Sequence, residues 1–261
     1  MTKLMGVVNV TPDSFSDGGL YLDPEAAISH GRELAAAGAE ILDVGGESTR
    51  PGAEPVAPEE ELRRVVPVIR ELSGTDSEVS VDTAKAPVAT AALDAGATIV
   101  NDVTALRGDP EMAPLCAERG ATVVLMHMLG EPRTMQEDPR YEDVAAEVKA
   151  FLAERLAAAV AAGIAEERVW LDPGIGFGKT AAHNMELLRR LGELRELGRP
   201  LVIGTSRKSF IGKLDGSAAD GRLGGTIASS VLAAAEGAEV LRVHDVAEMR
   251  QALAVAGAIL G

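Results

Sequence analysis

The chain has 261 residues, 46% of them apolar and 25% charged, enough to bury a sizeable core and too hydrophobic for a disordered polymer. A net charge of −15 and an aromatic content of 3% argue against nucleic-acid partners, anionic membrane surfaces and base-stacking platforms. Cys116 is the only cysteine, which excludes an internal disulfide framework and a cysteine-built zinc site; within P-L-C-A-E it reads as a small buried hydrophobe. No apolar run approaches the roughly 18 residues of a membrane span. The opening M-T-K-L-M-G-V-V-N-V is too short in its apolar part for a secretory signal, so a cytoplasmic protein is expected.

Eight short Val/Ile/Leu runs read as strands, at 4–10, 40–44, 79–82, 98–101, 121–126, 168–172, 200–204 and 239–244. They are continuous rather than alternating, as parallel strands covered on both faces should be. Helical stretches follow at about 24–37, 58–72, 85–95, 110–119, 141–162, 184–196, 224–236 and 246–259. Gly38, Gly96, Gly120, Gly163, Gly198 and Gly237 stand where helices end before the next strand, the usual place for a C′ glycine. The Ala-rich stretch 145–162 is a strong helix former. This alternation predicts an α/β protein, a (β/α)8 TIM barrel forming one domain over 1–261, with its active site at the carboxyl ends of the strands. The connections after strands 1 and 2, 10–22 and 45–57, are long and polar, the mark of lids or binding loops.

The runs stop at polar residues: Asn9, Asp43, Asp82, Asn101–Asp102, His127, Asp172, Thr205–Ser206 and Arg242–His244. Asn9 offers a carboxamide oxygen suited to a hard cation such as Mg2+. In T-P-D-S-F-S-D-G-G, Phe15 among small polar residues such as Asp13 suggests a loop that closes on a ligand. Thr49 and Arg50 supply a hydroxyl and a fixed cation, with a solvated Arg50–Glu47 pair as the competing reading. Asp82, Asn101 and Asp172 would place two carboxylates and an amide in the barrel mouth, where unpaired charge is costly. Each alone could cap the next helix; together they favour a polar heterocycle that presents N–H groups.

His127, between Met126 and Met128, reads as core packing with a supporting hydrogen bond, and Met126 as a flank for a planar ring. The run D-P-G-I-G-F-G-K-T, 172–180, lacks the spacing of a phosphate loop and reads instead as a glycine-shaped wall holding Asp172 and Phe177. Ser206, Arg207, Lys208, Arg242 and His244 gather at the ends of strands 7 and 8, where barrels bind phosphate, and imply a multiply charged anion with Mg2+. A surface ion pair competes for Arg207, but not for Arg242 inside its apolar strand.

These motifs, M-G-V-V-N-V-T-P-D-S-F-S-D-G-G, D-V-G-G-E-S-T-R-P-G, V-S-V-D-T, N-D-V-T, M-H-M, L-D-P-G-I-G-F-G-K-T, G-T-S-R-K-S-F-I-G and R-V-H-D-V, occur in one order along the chain. In that order the sequence resembles the dihydropteroate synthases over essentially its whole length. The resemblance implies condensation of 6-hydroxymethyl-7,8-dihydropterin diphosphate with 4-aminobenzoate, sulfonamide competition, Mg2+ and a homodimer packed through outer helices. It also implies that Asp82, Asn101, Asp172 and Lys208 hold the pterin, beside Met126, Phe177 and Gly204. Arg242, His244 and Asn9 with Mg2+ would take the diphosphate. Thr49, Arg50 and Ser206 would border the aminobenzoate, with Phe15 and Pro51 closing on its ring. Asp82, Asp172, Lys208 and Asp13 are the residues expected to act on the reaction, a dissociative substitution needing no covalent nucleophile. Two alternatives are a pterin-binding methyltransferase barrel and an inactive pterin-binding paralogue.

Overall fold

The computed structural model describes residues 2–11, 24–48, 53–130 and 134–261. Strands and helices alternate: β1 (Lys3–Asn9), α1 (Pro24–Ala37), β2 (Ile41–Gly45), α2 (Pro58–Leu72), β3 (Glu78–Asp82), α3 (Ala86–Asp94), β4 (Ile99–Asp102), α4 (Met112–Arg119), β5 (Thr122–Met126) and α5 (Val144–Ala161). Then come β6 (Val169–Asp172), α6 (Ala181–Arg189), α7 (Leu191–Arg195), β7 (Val202–Ile203), α8 (Ser209–Asp215), α9 (Leu223–Ala235), β8 (Val240–Val243) and α10 (Val246–Leu260). All strand pairs are parallel, in the order β6-β5-β4-β3-β2-β1-β8-β7. The two edges meet where Leu171 N donates to Pro200 O at 2.9 Å and Leu171 bridges Leu201. The sheet thereby closes into a (β/α)8 barrel, as the alternation predicts.

The apolar runs divide by parity, because successive strand residues point to opposite faces. Leu4, Val8, Leu42, Val44, Val81 and Val100 belong to the large core shared with the helices. The alternate residues Met5, Ile41, Ile99, Val124, Val202 and Val240 form a separate cluster, with Trp170 against it, that fills the barrel's interior. This floor positions the site. Asp43, Asn101, Met126, Asp172, Gly204 and Arg242 each lie two residues beyond a floor residue on their own strand, so all share its inward face. Asp82 lies two beyond the buried Ser80.

Several boundaries differ from expectation, each for a local reason. The helix expected at 184–196 begins at Ala181, where Thr180 and His183 form a capping box, and breaks at Arg190 (φ −112°, ψ 25°) into α6 and α7. The seventh strand shortens to Val202–Ile203, and the unexpected helix α8 starts right after Lys208. Between them Arg207 takes a left-handed φ of 56° and turns the chain outward. The six glycines expected to end helices carry φ from 60° to 113°.

The interior floor is close-packed rather than a pore. Ile41→Ala should cost about 2–5 kcal/mol in urea unfolding, the range for a buried aliphatic truncated to a methyl group. A cost below roughly 1 kcal/mol would show the barrel interior to be loosely filled.

Candidate active site

At the mouth the inward residues form a buried polar network. Asp43 is fully buried; its Oδ2 accepts from Arg242 Nε at 2.6 Å and from Asn101 Nδ2 at 3.1 Å, while its Oδ1 has no partner among the described residues. Arg242 Nη2 donates to Asp82 Oδ2 at 2.9 Å. One guanidinium thus serves two carboxylates on β2 and β3, leaving the trio with an excess negative charge. Burial pushes the Asp82 carboxyl up to about 7; Arg242 pulls against that shift, and Asp43, Glu61 and Asp102 add to it. Burial opposes the Arg242 cation too, but Asp43 and Asp82 hold it above its ordinary range.

Asp172 lies opposite, at the end of β6, and its Oδ1 accepts from Gly174 N at 2.7 Å. Burial raises its carboxyl, while the Gly174 N–H, Lys208, Arg242 and Lys179 act to lower it. Lys208 sits immediately before α8 with its Nζ 4.0 Å from the centre of the Phe177 ring, a cation–π contact. Burial and Arg242 push its ammonium down to about 8, against the pull of Asp172 and Asp82. Asp82 and Asp172 both stand on the inward face at the carboxyl ends of their strands, and Lys208 and Arg242 are each near enough to feel both charges. Met126, Met128, Val103 and Met135 make a small apolar cluster packed against Phe177 that walls the mouth on the β5–β6 side.

The rim is less basic than expected. Ser206 Oγ and His244 Nδ1 lie 2.9 Å apart and lock the ends of β7 and β8 together. Arg207, expected to join them, instead pairs with Asp245 at 2.5 Å, its side chain 43% exposed, because its left-handed backbone aims it away from the mouth. Arg222 Nη1 and Thr226 Oγ1 fix that turn by bonding Arg207 O and N at 3.0 Å each. Asn9 closes β1 in register with Gly45. Glu47 ion-pairs with Lys85, which also holds the buried Glu61; the Arg50 side of the competing pair lies outside the described residues. Asp13, Phe15, Thr49, Arg50 and Pro51 lie outside the described residues.

Residues 5–244 match the model of the family described as pterin binding enzyme. The dihydropteroate synthase of Escherichia coli (strain K12) is 48% identical over 258 residues, covering 98% of this chain and 91% of that protein. The solved Yersinia pestis dihydropteroate synthase with a sulfonamide drug complex superposes with a TM-score of 0.95 at 45% identity, covering 99% of this chain and 94% of that one. A Xanthomonas albilineans dihydropteroate synthase with 4-aminobenzoic acid gives a TM-score of 0.94 at 51% identity, covering 100% and 93% of the two chains. The chain belongs to the dihydropteroate synthase family. Its activity is dihydropteroate synthesis, a transferase reaction of folate biosynthesis.

Two residues of this dihydropteroate synthase family member gained no site role from the sequence. Asp43 stood among the strand ends, but only its parity with Ile41 separates it from the outward-facing Asp102. That second acid is consumed locally, accepting from Thr104 N, Thr104 Oγ1 and Leu106 N. Lys179 was hidden in a run that imitates a phosphate loop, yet it is only 2% exposed. A buried lysine in a glycine-rich turn was the available signal.

The elevated Asp82 has a measurable signature. Its folded state keeps a proton up to about pH 7, whereas an unfolded aspartate loses it near its ordinary value of 3.8. Its contribution is therefore complete below about pH 4 and is lost as pH rises to about 7. Thermal melts from pH 5 to 8 should show a downward slope in the wild type that Asp82→Asn flattens; parallel curves would remove the assignment.

Proposed function

We propose that the mouth cavity binds 6-hydroxymethyl-7,8-dihydropterin diphosphate with its ring between the Asp82 and Asp172 sides. The observation that carries this reading is the set of buried strand-end residues Asp82, Asn101 and Asp172, with Arg242 bonded to Asp82 and Lys208 over the Phe177 ring. Asp82, Asp172 and Asn101 accept from the amino and ring N–H groups, and Lys208 donates to the carbonyl and ring nitrogen. Met126 and Phe177 cover the ring faces, and Gly204 leaves room beside Arg242. Arg242, His244 and Asn9 take the diphosphate, with Ser206, Thr49 and Arg50 bordering 4-aminobenzoate. Phe15 and Pro51 close over that second ring, and Asp13 acts at the reacting centre.

The bond between the pterin methylene and the bridging oxygen breaks first, its electron pair leaving with the diphosphate. The electron-rich dihydropterin carries the resulting positive charge, and Asp82 and Asp172 stabilise it electrostatically. The amine of 4-aminobenzoate then forms the new carbon–nitrogen bond and releases its proton, giving 7,8-dihydropteroate. Attack depends on positioning the amine, which the closed 10–20 and 45–52 loops would supply.

The donor set also suits Mg2+. A cation here would take the Asn9 carboxamide oxygen as a protein ligand and fill its shell from phosphate and water. Bound in that way, Mg2+ would neutralise charge on the departing diphosphate. A methyltransferase barrel would share the acids but has no use for Arg242 and His244 at a diphosphate rim.

A homodimer is supported by exposed apolar side chains on the adjoining α9 and α10, Leu232, Val255, Ile259 and Leu260, away from the mouth. No helix among the described residues is long and apolar enough to cross a membrane. From the family match over residues 5–244 and the net charge of −15, we read 1–261 as one domain working in the cytoplasm.

Diphosphate release measured with and without 4-aminobenzoate tests the reaction: release should require or be strongly accelerated by the amine, and a pterin-binding paralogue would release none. Arg242→Met should slow turnover by about 3 kcal/mol, roughly a hundredfold, as for a lost charge-assisted contact to the leaving group. Unchanged turnover would exclude Arg242 from diphosphate departure.

A further inference from the structure

Behind the pocket wall lies a buried charge that the reaction above does not use. Lys179 closes the turn between β6 and α6, one residue before the helix cap Thr180. Its Nζ lies 2.8 Å from His127 Nδ1, 2.9 Å from Phe177 O and 3.4 Å from His127 O. An ammonium has three donors and accepts nothing, so these three neutral acceptors consume it. Where Lys179 is charged, His127 Nδ1 is the acceptor and the ring proton sits on Nε2.

These bonds tie two strand exits together, since His127 follows β5 and Phe177 belongs to the turn after β6. The turn is pressed against the β5 exit. A Cβ on Gly174, whose φ is +67°, would stand 1.9 Å from His127 O, and one on Gly178 would stand 2.6 Å from Leu129 O. The same turn carries Asp172 at its start and Phe177 under Lys208. No carboxylate among the described residues touches Lys179; burial pushes its ammonium down to about 7, Asp172 pulling against that shift and Lys208 adding to it, so its charge is fully present on the acid side of neutrality. The charged groups facing Asp172 are Lys208 from the α8 start, Arg242 from β8 and Lys179 from its own turn. Those facing His127 are Lys179 and Arg107, and the Phe151 ring packs edge-on against it at 4.9 Å.

We propose that Lys179 is a positioning residue for pterin recognition, holding Asp172 and Phe177 from behind the wall and supplying a buried positive charge beside Asp172. This rests on the reading that Asp172 accepts from the pterin. Burial and the Lys179 charge depress His127 to about 3, so the ring stays a neutral acceptor across the working pH range.

The test uses the full chain with 6-hydroxymethyl-7,8-dihydropterin as probe and 4-aminobenzoate as second substrate. Lys179→Met should weaken pterin binding about tenfold at about pH 6, where Lys179 is charged, and move the acid limb of that binding upward by about one pH unit. KM for 4-aminobenzoate should stay within about threefold of wild type. A uniform loss in both substrates with an unmoved acid limb would mark Lys179 as structural only and overturn the proposal. Asp172→Asn separates the two levels: if it binds the pterin normally, the Asp172 reading fails. If Asp172→Asn is impaired while Lys179→Met is not, only the Lys179 proposal fails. Should the Met variant not fold, Lys179→Gln, which keeps donors without the charge, must show the same shifted limb. In the wild type, nitrogen-15 NMR at about pH 5.5, where Lys179 is charged and His127 neutral, must find the His127 proton on Nε2; the other tautomer overturns the geometry regardless of any variant.

Discussion

Arg242 holds the mouth of the barrel together by an unequal bargain of charge. It reaches from β8 past β1 to bond Asp43 on β2 and Asp82 on β3. Two carboxylates buried side by side without that cation would repel each other in a medium that screens poorly, and one would hold its proton throughout the working range. With the cation present, the trio still lacks one positive charge, and burial expresses the deficit as the raised carboxyl of Asp82. Removing a partner from such a set generally destabilises more than the pair itself contributes, because the remaining charge is stranded. The network therefore fixes both the shape of the mouth and the protonation at which it works.

The barrel was readable because its signals are local and repeated. β-Branched runs of four to seven residues bounded by glycine and polar stops leave little choice of element, and closure follows from the parallel order. The boundaries that slipped did so where backbone geometry overrode pattern. Thr180 and His183 start α6 early through paired side-chain bonds, and Arg207 ends the seventh strand by turning left-handed, in a residue type that gives no warning of it. For the site, parity was the missing tool. Counting in twos from the apolar floor separates Asp43 and Asn101, which enter the cavity, from Asp102 and His127, which serve the outer layer. Ion-pair choice was not legible: nothing in S-R-K tells that the arginine leaves for Asp245 while the lysine stays.

The run at 172–180 shows how one composition supports two opposite uses of glycine. In a phosphate loop, glycines let backbone N–H groups approach an anion. Here Gly174 and Gly178 let the turn lie flat against the carbonyls of His127 and Leu129, and the lysine points inward to the carbonyls of His127 and Phe177 rather than outward to a ligand. The glycines create closeness in both cases, but against protein in this one, and the product is a rigid wall. That rigidity suits a planar ligand, whose recognition depends on acceptors held at fixed spacing more than on closure around it.

On the proposed reading, the two ends of the pterin diphosphate draw on one guanidinium. Pterin N–H groups at Asp82 satisfy a carboxylate that otherwise depends on Arg242, and this lets the arginine give more of its donors to phosphate oxygens above. The diphosphate in turn competes with Asp82 for the cation, which sharpens the carboxylate's demand for the ring. Seating the ring and gripping the leaving group are then linked through a shared residue 23% exposed in its side chain, between a dry floor and an open mouth. Departure of diphosphate reverses the exchange: the freed guanidinium returns to the acids as positive charge develops on the pterin. A rim of independent surface cations would supply the same charge without that coupling, and Arg207, spent on Asp245, shows that the fold does not rely on such a rim.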